Sequence, residues 1–204
     1  MKKASNNSEL KTRNSTLVLG LVGPICSGKE TVGSYIKENY DCKFYSLSDV
    51  IREELDSVGF IDPSRETLQA VGNILRKIYG SGVLTEKITE KAKKLGTRLT
   101  VIGSIRNPEE AVNLKNKLKN FFLLRIDASR KTRFERLLRR NRFGDPKTWE
   151  EFLKAERREF DHKKSKFQMH VDVTGEMADY TIKNDGTFEQ LFNKVDKIVK
   201  ELTV

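Results

Sequence analysis

The chain has 204 residues, 37% of them hydrophobic and 33% charged, with 39 Lys and Arg against 29 Asp and Glu and a formal charge of +10. That length suits one domain with a sizeable core, and the basic surplus points to an anionic ligand, phosphates or nucleic acid, beyond a solvated basic surface. With only Cys26 and Cys42 present, no disulfide framework is expected and a reducing, cytoplasmic compartment fits; no apolar run approaches a membrane span.

Met1–Asn14 is polar and lacks a signal-peptide core, so a loose tail is expected there, with residues 15–204 as a single domain. Leu17–Val22 is nearly all apolar, as a strand buried on both faces should be. It runs into Gly23-Pro24-Ile25-Cys26-Ser27-Gly28-Lys29-Glu30-Thr31, after which Val32, Tyr35 and Ile36 recur at helical spacing and predict a helix over Lys29–Asn39. Strand, glycine loop and helix is the order of a phosphate-binding P-loop; the competing reading is a plain glycine turn. Gly23 and Gly28 let the backbone curl and aim its N–H groups inward. The helix start adds a partial positive charge, and Lys29 a mobile one for the β- and γ-phosphates. Gly23, Cys26, Ser27, Gly28, Lys29, Glu30 and Thr31 are therefore the candidate triphosphate contacts. The usual signature has Ser or Thr after the lysine to hold magnesium. Here Glu30 stands in that place and Thr31 comes one residue late, which makes Glu30 the candidate metal contact, through water.

A strand over Lys43–Leu47 leads to Ser48-Asp49-Val50-Ile51-Arg52 and a helix over Asp49–Gly59. Asp49 and Arg52 share a face. They could steer an attacking group and grip an acceptor phosphate; the alternative is an N-capping Ser48 or Asp49 with a surface ion pair. The helix Arg65–Tyr79 has an apolar stripe of Leu68, Val71, Leu75 and Ile78. Its polar stripe of Arg65, Gln69, Asn73 and Arg76 is either a solvated face or a set of amides and guanidiniums for a base and a phosphate. A further helix is expected over Leu84–Leu95.

The strand Leu99–Ile102 enters Gly103-Ser104-Ile105-Arg106 and a helix over Pro108–Leu118. Many P-loop enzymes place a magnesium-holding Asp at the end of this strand, and none is present. Arg106 is a candidate phosphate contact or a partner of Glu109 or Glu110. After the strand Phe121–Ile126, the helix Ser129–Asn141 carries Arg133, Arg136, Arg139, Arg140 and Arg142 at its end. A break at Phe143-Gly144-Asp145-Pro146 precedes a helix over Pro146–Phe160. Two such helices, over about 139–160, could close on a phosphate chain as a lid, with Arg133 and Arg139 on the solvated side. Tyr180–Lys183 reads as a last strand, Asn184 to Gly186 as a tight turn and Thr187–Leu202 as a last helix. His162 and His170 are isolated, so no zinc site is expected. The alternation of strands and helices predicts an α/β protein with a parallel sheet.

Taken together, these residues resemble the P-loop nucleoside and nucleotide monophosphate kinases, most of all the deoxynucleoside monophosphate and dephospho-coenzyme A kinases and their archaeal and bacterial relatives. The likeness spans about residues 16–200 and rests on Ser27-Gly28-Lys29-Glu30-Thr31, Ser48 to Glu54, Arg65 to Gly80, Ile105 to Glu110, Arg133 to Leu137 with Arg140, Arg142 and Gly144 to Pro146, and Ala178 to Gly186. It implies a three-layer P-loop NTPase fold, a five-stranded parallel sheet with helices on both faces and a helical lid. It also implies ATP, Mg2+ and phosphoryl transfer to a small phosphorylated acceptor, with an oligomer left open. By position, Lys29, Asp49, Arg140 and Arg142 would be catalytic. Arg136, Asn184 and Gly186 would lie beside the adenine, and Asp49, Arg52, Arg65, Gln69, Asn73, Arg76 and Arg106 would face the acceptor. The Leu47-Ser48-Asp49 and Leu68 to Arg76 segments are also similar to the kinase-like domain of bacterial antiviral deoxycytidylate deaminases, which makes a nucleotide sensor with little turnover the alternative. A nucleic-acid binder is disfavoured, because aromatics are 8% of the chain and the basic residues gather on the lid rather than beside stacking rings.

Overall fold

In the computed structural model, residues 16–94, 97–142, 144–160 and 169–203 are described. The five strands are β1 (Leu17–Val22), β2 (Cys42–Ser46), β3 (Leu99–Ile105), β4 (Phe121–Asp127) and β5 (Tyr180–Lys183). They form one parallel sheet in the order β2-β3-β1-β4-β5. Every residue of β1 and β3 is buried, which is why both read as largely apolar runs rather than alternating ones.

The period-two geometry of a strand splits those runs between two cores. Leu19, Leu21, Val101, Leu124 and Ile126 pack with Val32 and Ile36 of α1 (Lys29–Asn39) and with Leu191, Val195 and Val199 of α9 (Phe188–Thr203). Val18, Val22, Ile102, Ile105 and Leu123 pack on the other face with α2 (Leu47–Ser57), α4 (Val83–Lys94), α5 (Pro108–Lys117) and α8 (Val171–Glu176). Burial of each large aliphatic side chain contributes about 1.5–3 kcal/mol, so the two faces hold the sheet as a rigid platform.

Two excursions leave the ends of the strands. Between β2 and β3 the chain builds α2, α3 (Arg65–Tyr79) and α4. Between β4 and β5 it builds α6 (Arg130–Arg140), α7 (Trp149–Phe160) and α8. A small third cluster joins Ile25, after β1, to Leu137 of α6 and Phe152 of α7. Trp149 stands edge-on to Phe134 at 5.2 Å between ring centres.

Several expectations are corrected. The α2 cap is neither Ser48 nor Asp49: Ser46 caps the helix, its hydroxyl accepting from the Ser48 N–H at 3.3 Å. Strand β3 runs three residues past Ile102 to Ile105, its pairing with β1 shifting register between Gly20 and Val22. Helix α7 starts at Trp149, not Pro146, and α8 was not foreseen. Arg133 is not solvated: it is buried, ion-paired to Glu156 and stacked 5.3 Å from the Phe152 ring centre. Ile78, assigned to the apolar stripe of α3, is 64% exposed, whereas Arg76 of the polar stripe is buried. The expected tail, Phe143 and His162 lie outside the described residues.

Candidate active site

The loop after β1 is built by backbone geometry that few side chains allow. Gly28 has φ 104° and is the N-cap of α1. An added Cβ at Gly23 would lie 2.0 Å from the Ile126 carbonyl oxygen. Cys26 also takes a left-handed φ of 57°, and burial pushes its thiol pKa up. The first helical hydrogen bond of α1 runs from the Val32 N–H to the Gly28 carbonyl at 3.0 Å. The N–H groups of Lys29, Glu30 and Thr31 therefore lack helical partners, as at any helix start. Ser27 is fully buried and its hydroxyl has no partner among the described residues. Lys29 is buried, its Nζ donating to the Pro24 carbonyl at 2.8 Å, and burial lowers its pKa. A curled loop with helix-start N–H groups that lack helical partners, an unpartnered hydroxyl and a buried ammonium suits an oxyanion.

Arg136 and Asn184 brace this loop from behind. Asn184 Nδ2 donates to the Ser27 carbonyl at 2.8 Å, and Arg136 donates to the Asn184 carbonyl at 2.9 Å. Gly186 lies in the exposed turn before α9. The three adenine-side candidates thus cluster around the β5 end, two of them hydrogen-bonded into the loop.

Lys29 and Glu30 open onto a cavity of about 600 Å³ whose far wall comes from α2, α3 and the end of β3. Asp49, Arg52, Arg65, Gln69, Arg76, Arg106, Arg140 and Arg142 line it, whereas Asn73 and Thr31 do not. Seven basic side chains face it against four acidic ones, so the cavity suits an anion. Partial desolvation raises the Asp49 carboxyl above its ordinary value. Arg140 is held in a two-point pair by Asp145, at 2.9 and 2.7 Å. Arg76 gives Nε and Nη2 to Glu110 at 2.9 and 2.7 Å, while the second Glu110 oxygen accepts the Arg106 and Asn107 N–H groups at 3.0 and 3.1 Å. Arg76 is therefore a brace for the β3 end as well as part of the wall.

Glu159, near the C-terminus of α7, was not singled out in the sequence. It is buried, pairs with Arg65, lies 3.9 Å from Arg106 and accepts the Ile25 N–H of the loop at 2.9 Å. Burial alone would raise its pKa, but Arg65, Arg106 and Lys29 outweigh that and hold it below the ordinary range. Its partners lie 134 and 94 residues away, so no local pattern could have marked it.

Residues 22–153 match a family model described as an AAA domain, to which the chain belongs. A UPF0200 protein of Pyrococcus horikoshii is 32% identical over 91% of this chain and 97% of its own length. One from Staphylothermus marinus is 34% identical over 91% of both chains. The chain belongs to the UPF0200 family. Among solved structures, a shikimate kinase from Acinetobacter baumannii in complex with shikimate superposes with a TM-score of 0.56 at 17% identity, covering 94% of this chain and 97% of that one. At that identity the likeness shows the fold, which this UPF0200 chain shares with P-loop kinases.

Beside the loop, the cavity wall offers hard oxygen donors from hydroxyls and carboxylates. The Ser46 hydroxyl lies 2.7 Å from those of Ser48 and Ser104, and the carboxylates of Glu30 and Asp49 line the same cavity. The Glu30 carboxyl is pulled down to about 2, chiefly by Lys29. Magnesium takes oxygen ligands, commonly one or two carboxylates with substrate phosphates, so this donor set fits it. Among the described residues no three His, Cys, Asp or Glu side chains gather to bind a metal unaided.

Proposed function

We propose that this protein transfers the terminal phosphoryl group of ATP to a small phosphorylated acceptor of nucleotide type. The observation that carries the reading is a single anion-suited cavity that joins the Lys29 end of the loop to Arg52, Arg65 and Arg106 on the opposite wall. The loop N–H groups and Lys29 hold the triphosphate. Arg140, fixed by Asp145, and Arg142 stabilise the charge on the group in transfer, and α6 and α7 act as the lid. Asp49 orients the acceptor, and Arg52 and Arg106 take its phosphate. Glu30, through water, and the Ser104 hydroxyl would hold magnesium, which when bound supplies charge neutralisation on the phosphate oxygens. Catalysis is then mainly positioning and electrostatics in an in-line displacement.

A coupled assay of ATP against nucleoside monophosphates, dephospho-coenzyme A and shikimate tests this. Turnover on one phosphorylated acceptor that disappears in Lys29→Ala is the expected result; equal turnover by Lys29→Ala would sink it. The alternative, a nucleotide sensor with little turnover, draws on one observation: Ser104, with φ 62°, stands at the β3 end where many P-loop enzymes carry an acid. Tight ATP binding that needs no magnesium, with no turnover on any acceptor, would favour it.

A further inference from the structure

We propose that the Glu159 carboxylate, just behind the cavity wall, is an internal anion that holds the groups meant for the phosphoryl group in transfer and that the incoming phosphate displaces from them. This rests on the phosphoryl-transfer reading above and adds how the site is kept before substrate arrives. The groups around Glu159 are those that recognise phosphate: a loop N–H from Ile25 at 2.9 Å, the guanidinium of Arg65, and that of Arg106 at 3.9 Å. The Lys29 ammonium acts on the same carboxylate. Ile25, Lys29 and Glu159 are each at most 5% exposed, so solvent screens the arrangement poorly. Carboxylate and phosphate oxygens compete for such donors, because both accept charge-assisted hydrogen bonds from guanidinium and amide groups.

The contacts also have a direction. Glu159 belongs to α7, Ile25 to the nucleotide loop, Arg65 to α3 and Arg106 to the β3 end. One carboxylate therefore ties the lid helix to both substrate sides. A phosphoryl group beside Lys29 meets a like charge unless Glu159 withdraws, and its withdrawal hands the Ile25 N–H and Arg65 to that group and frees Arg106 for the acceptor phosphate. Displacement thus couples arrival of the terminal phosphate to a shift of α7, which frees the lid to settle on the group in transfer. The chain has one tryptophan, Trp149, at the other end of the same helix against Phe134, where it reports any shift of α7.

The test titrates inorganic tripolyphosphate, and adenosine as a phosphate-free control, into the parent, Glu159→Gln and Lys29→Ala, by calorimetry and Trp149 emission. The Gln side chain keeps the shape and an acceptor for the Ile25 N–H while removing the charge. Loss of a like charge at close range is expected to tighten tripolyphosphate binding about 10-fold or more, to leave adenosine unchanged, and to abolish the emission change that accompanies binding in the parent. Unchanged or weaker tripolyphosphate binding by Glu159→Gln, with Lys29→Ala still losing it, overturns the displacement while leaving the nucleotide site standing. If the parent itself fails to bind tripolyphosphate, both readings fall. Should circular dichroism show Glu159→Gln unfolded, the parent decides: tripolyphosphate that saturates it with no change in Trp149 emission overturns the proposal.

Discussion

Single residues set what the loop can hold. Gly23 has no room for a side chain: its Cβ would meet the Ile126 carbonyl at 2.0 Å and the Ser27 hydroxyl at 2.9 Å. Gly23→Ala is expected to cost about 1–3 kcal/mol of stability by overpacking and to lose tripolyphosphate binding, read by thermal denaturation and calorimetry. Glu30 is held as a carboxylate down to about 2 from an ordinary 4.5, first by Lys29. A depressed carboxyl favours the folded state above its unfolded value, and that contribution fades as pH falls from 4.5 toward 2. Glu30→Gln should therefore flatten the acid limb of a stability profile in that window. On the proposed role of Glu30 at the metal, the same substitution should also weaken the magnesium dependence of ATP affinity about 10-fold. An ATP titration with and without EDTA gives the second readout; an unchanged magnesium dependence excludes Glu30 from the metal.

At the scale of elements, buried ion pairs from distant segments decide geometry that periodicity could not show. Arg76 had the spacing of a solvated stripe, yet Glu110, 34 residues on, draws it into the protein. Arg133 is buried by Glu156 of α7 in the same way. Charges look exposed in a local pattern, and only a partner from another segment makes their burial tolerable. The strands β1 and β3 were legible because burial on both faces favours a largely apolar run, and β4 because it opens on the apolar Phe121–Leu124 stretch. Helix α8 was not, because six residues are too few for a helical stripe. Arg76→Met is expected to cost about 3–5 kcal/mol, since it strands the Glu110 charge, with part recovered in Arg76→Met/Glu110→Gln. Equal thermal stability of parent and single variant would show the pair to be dispensable.

For the whole molecule, the P-loop was the most legible part, because a glycine loop between a buried strand and an amphipathic helix is local in sequence. The opposite wall is assembled from three separated segments, and its geometry needed the sheet. The candidate site spans both, so ligand and fold are linked: ATP at about 100 times its dissociation constant should raise stability by about 2.7 kcal/mol, and Lys29→Ala should lose that gain in a thermal scan. The proposed acceptor wall and the proposed lid arise from two separate excursions, one between β2 and β3 and one between β4 and β5, while the loop follows β1 in the middle of the sheet. The three parts can therefore diverge at different tempos. On the proposed reading, exchanging the segment between β2 and β3 with that of a relative should change which acceptor fits without rewriting the loop after β1, so donor use can stay common among descendants of one ancestor while acceptor choice drifts.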